Sequence, residues 1–276
     1  KQISIIQDIN KMELNLSGTK QAEKCIKFVD IFRHLRDFTD FVTITLKNDS
    51  LYIQGMDNAQ VCLYEVLMKS EWFNDEENDG SYNVNDDYTD VDVSVNVNYL
   101  HSILNIRQDN QSINICYNND KVCIEFTSDD PKEYNKYFEL PTVDIDRQLM
   151  EIPDVEYDSD LSLETDTFSK MMSQLKIFDE KVTFSCDDEG VNILATGVDG
   201  HMKVNLPVDD LDDYSISDDS ELKHTYSLLQ VNKMSDFTKV SSSVNISISQ
   251  EFPMKISYPL DDTSYIRFFL APCIDD

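Results

Sequence analysis

Residues 42–58, VTITLKNDSLYIQGMDN, and residues 182–200, VTFSCDDEGVNILATGVDG, decide the fold, because they are two copies of one pattern. Each copy alternates apolar and polar residues, turns at Asn-Asp or Asp-Glu-Gly, alternates again, and turns at Gly-x-Asp. Alternation at period two specifies a half-buried strand, and short Asn/Asp/Gly breaks between such runs are hairpin chemistry. A long pattern repeated in one chain marks an internal duplication.

Working outward, the flanks repeat as well. Ahead of the first copy, 12–16 alternates as a strand. Ser17-Gly18-Thr19 then offers an N-cap for a helix over 20–38, with Cys25, Phe28, Phe32, Leu35 and Phe38 as its apolar stripe. Ahead of the second copy, 161–163 reads as a strand and 167–178 as a helix capped by Thr165 or Asp166. Behind the first copy come strands at 61–67 and 91–97, a short helix over 99–107, a hairpin of 112–116 with 122–126, and an edge strand at 134–140. Behind the second come strands at 202–206 and 226–230, a helix over 231–240, and strands at 243–249, 254–258 and 266–270. The acidic stretch 72–88 reads as a long exposed loop, and 209–221 takes its place in the second half. The fold class is therefore α+β: two duplicated domains, each with large antiparallel sheets and both helices on one side. The boundaries are 1–140 and 161–276, joined by an extended connector over 141–160 that Pro141 and Pro153 bracket.

Hydrophobic residues make up 41 % of the 276, enough for a core despite 28 % charged residues. Six cysteines without a CxxC, and four scattered histidines, give no metal-ligand spacing. No run is long and apolar enough for a membrane span. The residues predict a soluble intracellular protein with no cofactor and no membrane partner. The Gly-x-Asp turns are not phosphate loops, since no Lys-Ser/Thr follows them. Carboxylate pairs arise by chance in so acidic a chain, so a carboxylate hydrolase is the weakest of three readings.

The net charge of −30 argues against nucleic acid only on average. The cations are segregated. Lys20, Lys24, Lys27, Arg36, Arg107, Lys170, Lys176, Lys233 and Lys239 fall in or beside the four predicted helices, while 74–90 and 208–221 hold acid and no Lys or Arg. Such segregation fits helices that face a polyanion and loops that face water.

The phrases LYIQGMDNAQVCLYEVLM (51–68), IDRQLMEIPDVEY (145–157) and IRFFLAPCID (266–275) resemble the eukaryotic-type DNA sliding clamps, the proliferating cell nuclear antigen family. The resemblance implies a non-enzymatic ring, usually a homotrimer, with helices lining the hole and sheets outside. It implies sequence-independent binding of double-stranded DNA, DNA polymerase and other replication and repair proteins as clients, a clamp loader, and a nuclear or viral replication compartment. Arg36, Lys170, Lys176, Lys233 and Lys239 stand at or near family positions that face DNA. Lys20, Lys24 and Lys27 share the first helix, and Arg107 follows the second, where Ser102 and Asn105 replace family lysines. The resemblance also implies a client-peptide groove of Met56, Gln60, Val61, Leu63, Leu149, Met150, Ile152, Tyr157, Pro253, Phe269, Leu270, Ala271 and Pro272. The alternative within the family is a subunit of a heteromeric or checkpoint-type clamp.

Overall fold

The computed structural model describes residues 11–74, 77, 79–118, 120–217 and 221–274. The elements run β1 (Met12–Leu16), α1 (Ala22–Leu35), β2 (Phe41–Lys47), β3 (Ser50–Met56), β4 (Cys62–Lys69), α2 (Ser70–Phe73), β5 (Ser81–Val84), β6 (Val91–Asn96), α3 (Val97–Leu104), β7 (Ser112–Asn118), β8 (Lys121–Thr127) and β9 (Lys136–Pro141). They then repeat as β10 (Ser159–Glu164), α4 (Thr165–Leu175), β11 (Lys181–Asp187), β12 (Gly190–Gly197), β13 (Gly200–Pro207), β14 (Asp213–Ile216), β15 (Leu222–Ser227), α5 (Leu228–Ser235), β16 (Ser243–Ile248), β17 (Met254–Pro259) and β18 (Tyr265–Leu270). The chain packs as two compact units. One is Lys1–Ile53 with Leu67–Arg147, and the other is Gln54–Val66 with Gln148–Asp276.

In the first unit, β5-β1-β7-β8-β9 form one antiparallel sheet, and β2 lies between β3 and β6. Period-two burial points one face of each strand inward. Met12, Leu14, Phe28, Phe32, Leu46, Val93, Leu100 and Ile115 wall a single apolar void of about 30 Å³, so β1, α1, β2, β6, α3 and β7 share one core. Helix α1 begins at Ala22 rather than at residue 20, and neither Ser17 nor Thr19 caps it. The intervening residues make a turn closed by Gln21 N donating to Ser17 O at 2.9 Å. The buried Gln21 side chain accepts from Ser17 N and donates to Phe73 O. Gly18 is required there, because a Cβ would lie 2.3 Å from the Gln111 backbone.

In the second unit, β13-β12-β11-β15 form a four-stranded antiparallel sheet. A second sheet runs β14-β10-β16-β17-β18, and β18 is bonded in turn to β4, whose residues 62–66 belong to this unit. Phe237 packs against Tyr258 and Phe268 at ring separations of 5.1 and 5.2 Å. Tyr258 Oη donates to Met234 O at 2.6 Å, which locks the end of α5 to β17.

Further boundaries differ from the sequence expectation, most clearly in the second half. The strand expected at 226–230 is β15, which ends at Ser227, and the helix expected over 231–240 is α5, already running at Leu228. Leu228, Val231 and Met234 are buried at spacings of three, which is a helical face and not a strand. Helix α4, Thr165–Leu175, likewise starts two residues and ends three residues earlier than 167–178.

The larger correction concerns the acidic stretches. Residues 72–88 are not a long exposed loop. Trp72 and Phe73 on α2 are buried, and Tyr82 on β5 is buried as β5 pairs with β1. The Phe73 and Tyr82 rings stack at 5.4 Å. Tyr82 Oη reaches Lys47 O at 3.0 Å and Ser50 O at 2.8 Å, the two carbonyls that flank the β2–β3 turn. The second half repeats the device. Tyr214 on β14 reaches Asp187 O at 2.7 Å and Gly190 O at 3.3 Å, which flank the β11–β12 turn. Each acidic segment is thereby tied to a hairpin turn by one hydroxyl.

Tyr82→Phe and Tyr214→Phe should each lower stability by about 1 kcal/mol, and Phe73→Ala by about 3–5 kcal/mol, in urea unfolding. A change near zero for all three would mean that the acidic segments are loops after all.

Candidate functional site: a peptide groove and helix-borne cations

The second unit brings together three short segments. The first is the turn between β3 and β4. Asp57 Oδ1 accepts from Val61 N at 2.8 Å and Cys62 N at 2.9 Å. Its Oδ2 accepts from Gln230 Nε2 at 2.9 Å. This carboxylate holds Gln60 in a left-handed conformation, φ 57°, which a non-glycine residue adopts only when its neighbours fix it.

The second segment is the end of β18. Ile266, Phe268 and Leu270 point into the core, while Tyr265, Arg267 and Phe269 face the other way. Beyond Leu270, Ala271 N donates to Val61 O at 3.3 Å and Cys273 N to Thr225 O at 2.7 Å. The tail is therefore laid along the turn and is not tucked into the core. Ala271 and Pro272 are exposed.

The third segment is the connector. Gln54 grips it at one residue, donating from Nε2 to Met150 O at 2.9 Å and accepting from Met150 N at 2.8 Å. Its amide thus does what a neighbouring strand's peptide unit would do. Leu149 and Met150 stay about half exposed, at 50 % and 48 %. Further along, the Tyr157 ring lies under Lys255 Nζ at 4.4 Å. Burial holds the Lys255 ammonium below its ordinary range and pushes the Tyr157 phenol up.

Of the expected groove residues, Met56, Leu63, Ile152, Tyr157 and Phe269 are half-buried, and Gln60, Val61, Leu149, Met150, Pro253, Ala271 and Pro272 are exposed. Leu270 is corrected: it is 1 % exposed and belongs to the core, because strand alternation turns it away from Phe269. Gln54, Asp57 and Gln230, which hold the groove together, were missed. Asp57 had a readable signal, as the acid of a Gly-x-Asp turn. Gln54 and Gln230 had none, since their partners are remote in sequence.

The expected cations are present, and most have partners inside the protein. In the first unit Lys20 pairs with Asp79 at 2.9 Å, and Lys27 with Glu23 at 2.8 Å. Lys24 Nζ lies 5.8 Å from the Trp72 ring centroid. Arg107 donates to the carbonyls of Gln108, Asp109 and Gln111. Arg36 Nη1 donates to His101 Nδ1 at 3.2 Å, since a guanidinium can only donate. Burial, then the charges of Arg36 and Arg33, lowers the His101 pKa and keeps the ring neutral for that role. In the second unit Lys170 pairs with Asp166 one turn back. Lys233 is half-buried. Lys176 and Lys239 are exposed and make no ion pair among the described residues.

The profile described as proliferating cell nuclear antigen, N-terminal domain, matches residues 20–149, and the one for the C-terminal domain matches 151–273. The chain belongs to the proliferating cell nuclear antigen family. It is a DNA sliding clamp. It is 25 % identical to proliferating cell nuclear antigen 2 of Drosophila melanogaster over 267 residues, 96 % of this chain and 98 % of that one. It is also 25 % identical to proliferating cell nuclear antigen of Chaetomium thermophilum, over 93 % and 97 % of the two chains. A solved PCNA2–PCNA3 complex from Sulfolobus tokodaii has the same fold, with a TM-score of 0.80 at 20 % identity over 94 % of this chain and 98 % of that one. Clamps of this family bind DNA and partner proteins, form multimers and are not enzymes, and the eukaryotic members are nuclear replication proteins.

Gln54→Ala should free the connector without unfolding the clamp. Amide exchange at Met150 should rise roughly tenfold, about 1.4 kcal/mol less protection. Unchanged exchange would show that Gln54 is not the tether.

Proposed function

We propose that this clamp works as a closed homotrimer that encircles double-stranded DNA, catalyses no reaction, and docks replication and repair proteins at the groove of the second unit. The observation that carries the assembly is a pair of open sheet edges. β9 lies at one edge of its sheet and β13 at one edge of another. They have six and eight residues; of the other edge strands, β5 and β14 have four each, and β6 and β15, with six each, are met by a further backbone bond, from Val143 N to Ser94 O and from Cys273 N to Thr225 O. No residue of β13 is fully buried, and Met202, Val204 and Leu206 alternate half-exposed along it. Long unpaired edges with apolar side chains are a liability unless something pairs with them. Because each chain carries both, β9 of one copy can pair with β13 of the next. Such a head-to-tail contact makes a ring when its rotation closes.

Of the cations that would meet phosphates, Lys24, Lys27, Lys170 and Lys233 lie within helices, and Lys20, Arg36, Arg107, Lys176 and Lys239 lie just outside helix ends. Lys20, Lys24, Lys27, Arg36 and Arg107 would act from the first unit, and Lys170, Lys176, Lys233 and Lys239 from the second. Their internal partners favour weak, sequence-neutral attraction, which suits a tether that has to slide. In the groove, Phe269, Leu149, Met150 and Val61 offer the apolar contacts for a short client peptide, with polymerase as one client class and a clamp loader as another partner. Half-exposed methionine allows several clients to fit. The working compartment is the nucleus.

Light scattering of the purified chain should give three times the 31.9 kDa chain mass. A stable monomer that assembles only with other clamp subunits would replace the homotrimer with the heteromeric reading. With the trimer in hand, Lys176→Glu with Lys239→Glu should reduce processive synthesis and lower the salt slope of DNA association by about 0.9 for each phosphate no longer neutralised. Unaltered synthesis and slope would remove these two lysines from the DNA face. Phe269→Ala should weaken a client peptide by roughly tenfold or more while the trimer mass is kept. Loss of the trimer instead would make Phe269 structural.

A further inference from the structure

Cys116 on β7 and Cys123 on β8 stand directly opposite one another in the antiparallel register. Both are free and half-exposed, whereas Cys25, Cys62 and Cys186 are buried. Residues opposite in such a ladder have Cα atoms about 4.5 or 5.5 Å apart, and a disulfide accepts about 4.4–6.8 Å, so the backbone needs little movement to join them. Cys116 also borders a surface cleft lined by Glu13, Asn15, Ser81, Asn114 and Glu125. The same row of the sheet continues to Glu13 on one side and Glu139 on the other. A small neutral molecule can enter this cleft, and an anionic one meets carboxylates.

We propose that Cys116 and Cys123 form a reversible dithiol–disulfide site on the solvent side of the β7–β8 hairpin, oxidised by hydrogen peroxide. Burial and the neighbouring Cys123 push the Cys116 thiol up to about 12, so thiolate is scarce at Cys116 and the reaction is slow. One sulfur of the pair, as its thiolate, attacks a peroxide oxygen, the O–O bond breaks, and the departing hydroxide leaves as water with the proton of the medium. That cysteine is then a sulfenic acid. The sulfur opposite attacks it, the S–O bond breaks, and hydroxide leaves with the second thiol's proton as water. Two thiols lose two electrons in all, and one peroxide becomes two waters. A thiol reductant reverses the bond by exchange. The linked hairpin carries β9, so oxidation stiffens the strand beside the open edge. The site stands independently of the groove and of the ring.

The test uses the full chain and hydrogen peroxide. The expected product has lost two hydrogens and two of its six thiols. Trypsin cuts after Lys121, between the two cysteines, so the fragments should stay joined until dithiothreitol separates them. Cys123→Ser should abolish the linked pair. Oxidised glutathione, an anion, should form it more slowly than peroxide at equal concentration, and added salt should narrow the gap. Independent oxygenation of the two sulfurs, linkage to any other cysteine, or an unchanged thiol count would overturn the proposal. A faster reaction with glutathione would overturn the choice of oxidant.

Discussion

A tyrosine hydroxyl set between the two carbonyls that close a hairpin turn occurs once in each half of this clamp, and much of the fold depends on it. Tyr82 holds the β2–β3 turn and Tyr214 the β11–β12 turn. A hydroxyl has one proton, so it can satisfy either carbonyl but bonds only one fully at a time. What it gains is position. With the Tyr82 ring buried, the Tyr214 ring half-buried and both hydroxyls fixed, β5 is aligned on β1 and β14 on β10. Strands that short would be marginal if left to their ladder bonds alone. The acid on either side of each tyrosine can then remain in water.

The charge of the clamp follows from the same arrangement. A net charge of −30 suits a protein that must not bind nucleic acid indiscriminately. Lys20 and Lys27 are each held within 3 Å of a carboxylate, and Arg107 is spent on three carbonyls. Ion pairs with an exposed carboxylate contribute little to stability, so under the proposed function these carboxylates would be exchanged for phosphates at small cost. Arg36 differs. Its partner is a neutral imidazole, which orients the guanidinium, and it makes no ion pair among the described residues.

The strands and the duplication were legible because period-two alternation survives in VTITL, VTFSC and their partners. The groove was legible only through family resemblance, since Met56, Val61 and Leu63 look like ordinary strand residues. Leu270 was misplaced for a local reason: the phrase FFLAP does not say which of two adjacent residues faces inward, and only the register of β18 on β17 does. The acidic stretches hid their tyrosines because their partners are distant. Tyr82 lies 35 residues from Lys47 and Tyr214 27 from Asp187, so local composition pointed outward while long-range packing drew one ring in. Helix α5 started early because Leu228 serves as the first residue of its buried face as well as the end of an alternating run.

Gln54–Val66 packs with the second unit although its neighbours in sequence belong to the first. During synthesis this piece leaves the ribosome about two hundred residues before Ala271, the residue that later bonds its turn. At about 5–20 residues per second the interval is on the order of ten seconds or more. For that time the turn at Asp57 has neither Gln230 nor the tail, and the strand beside it has an open side. The first unit can bury most of its own core while it waits, but the nascent chain must be kept from pairing that strand with the wrong partner. A C-terminal fragment starting at Gln148 would have the converse defect, with β18 complete and nothing to cover it. The candidate groove is thus assembled late, from two parts of the chain made far apart in time.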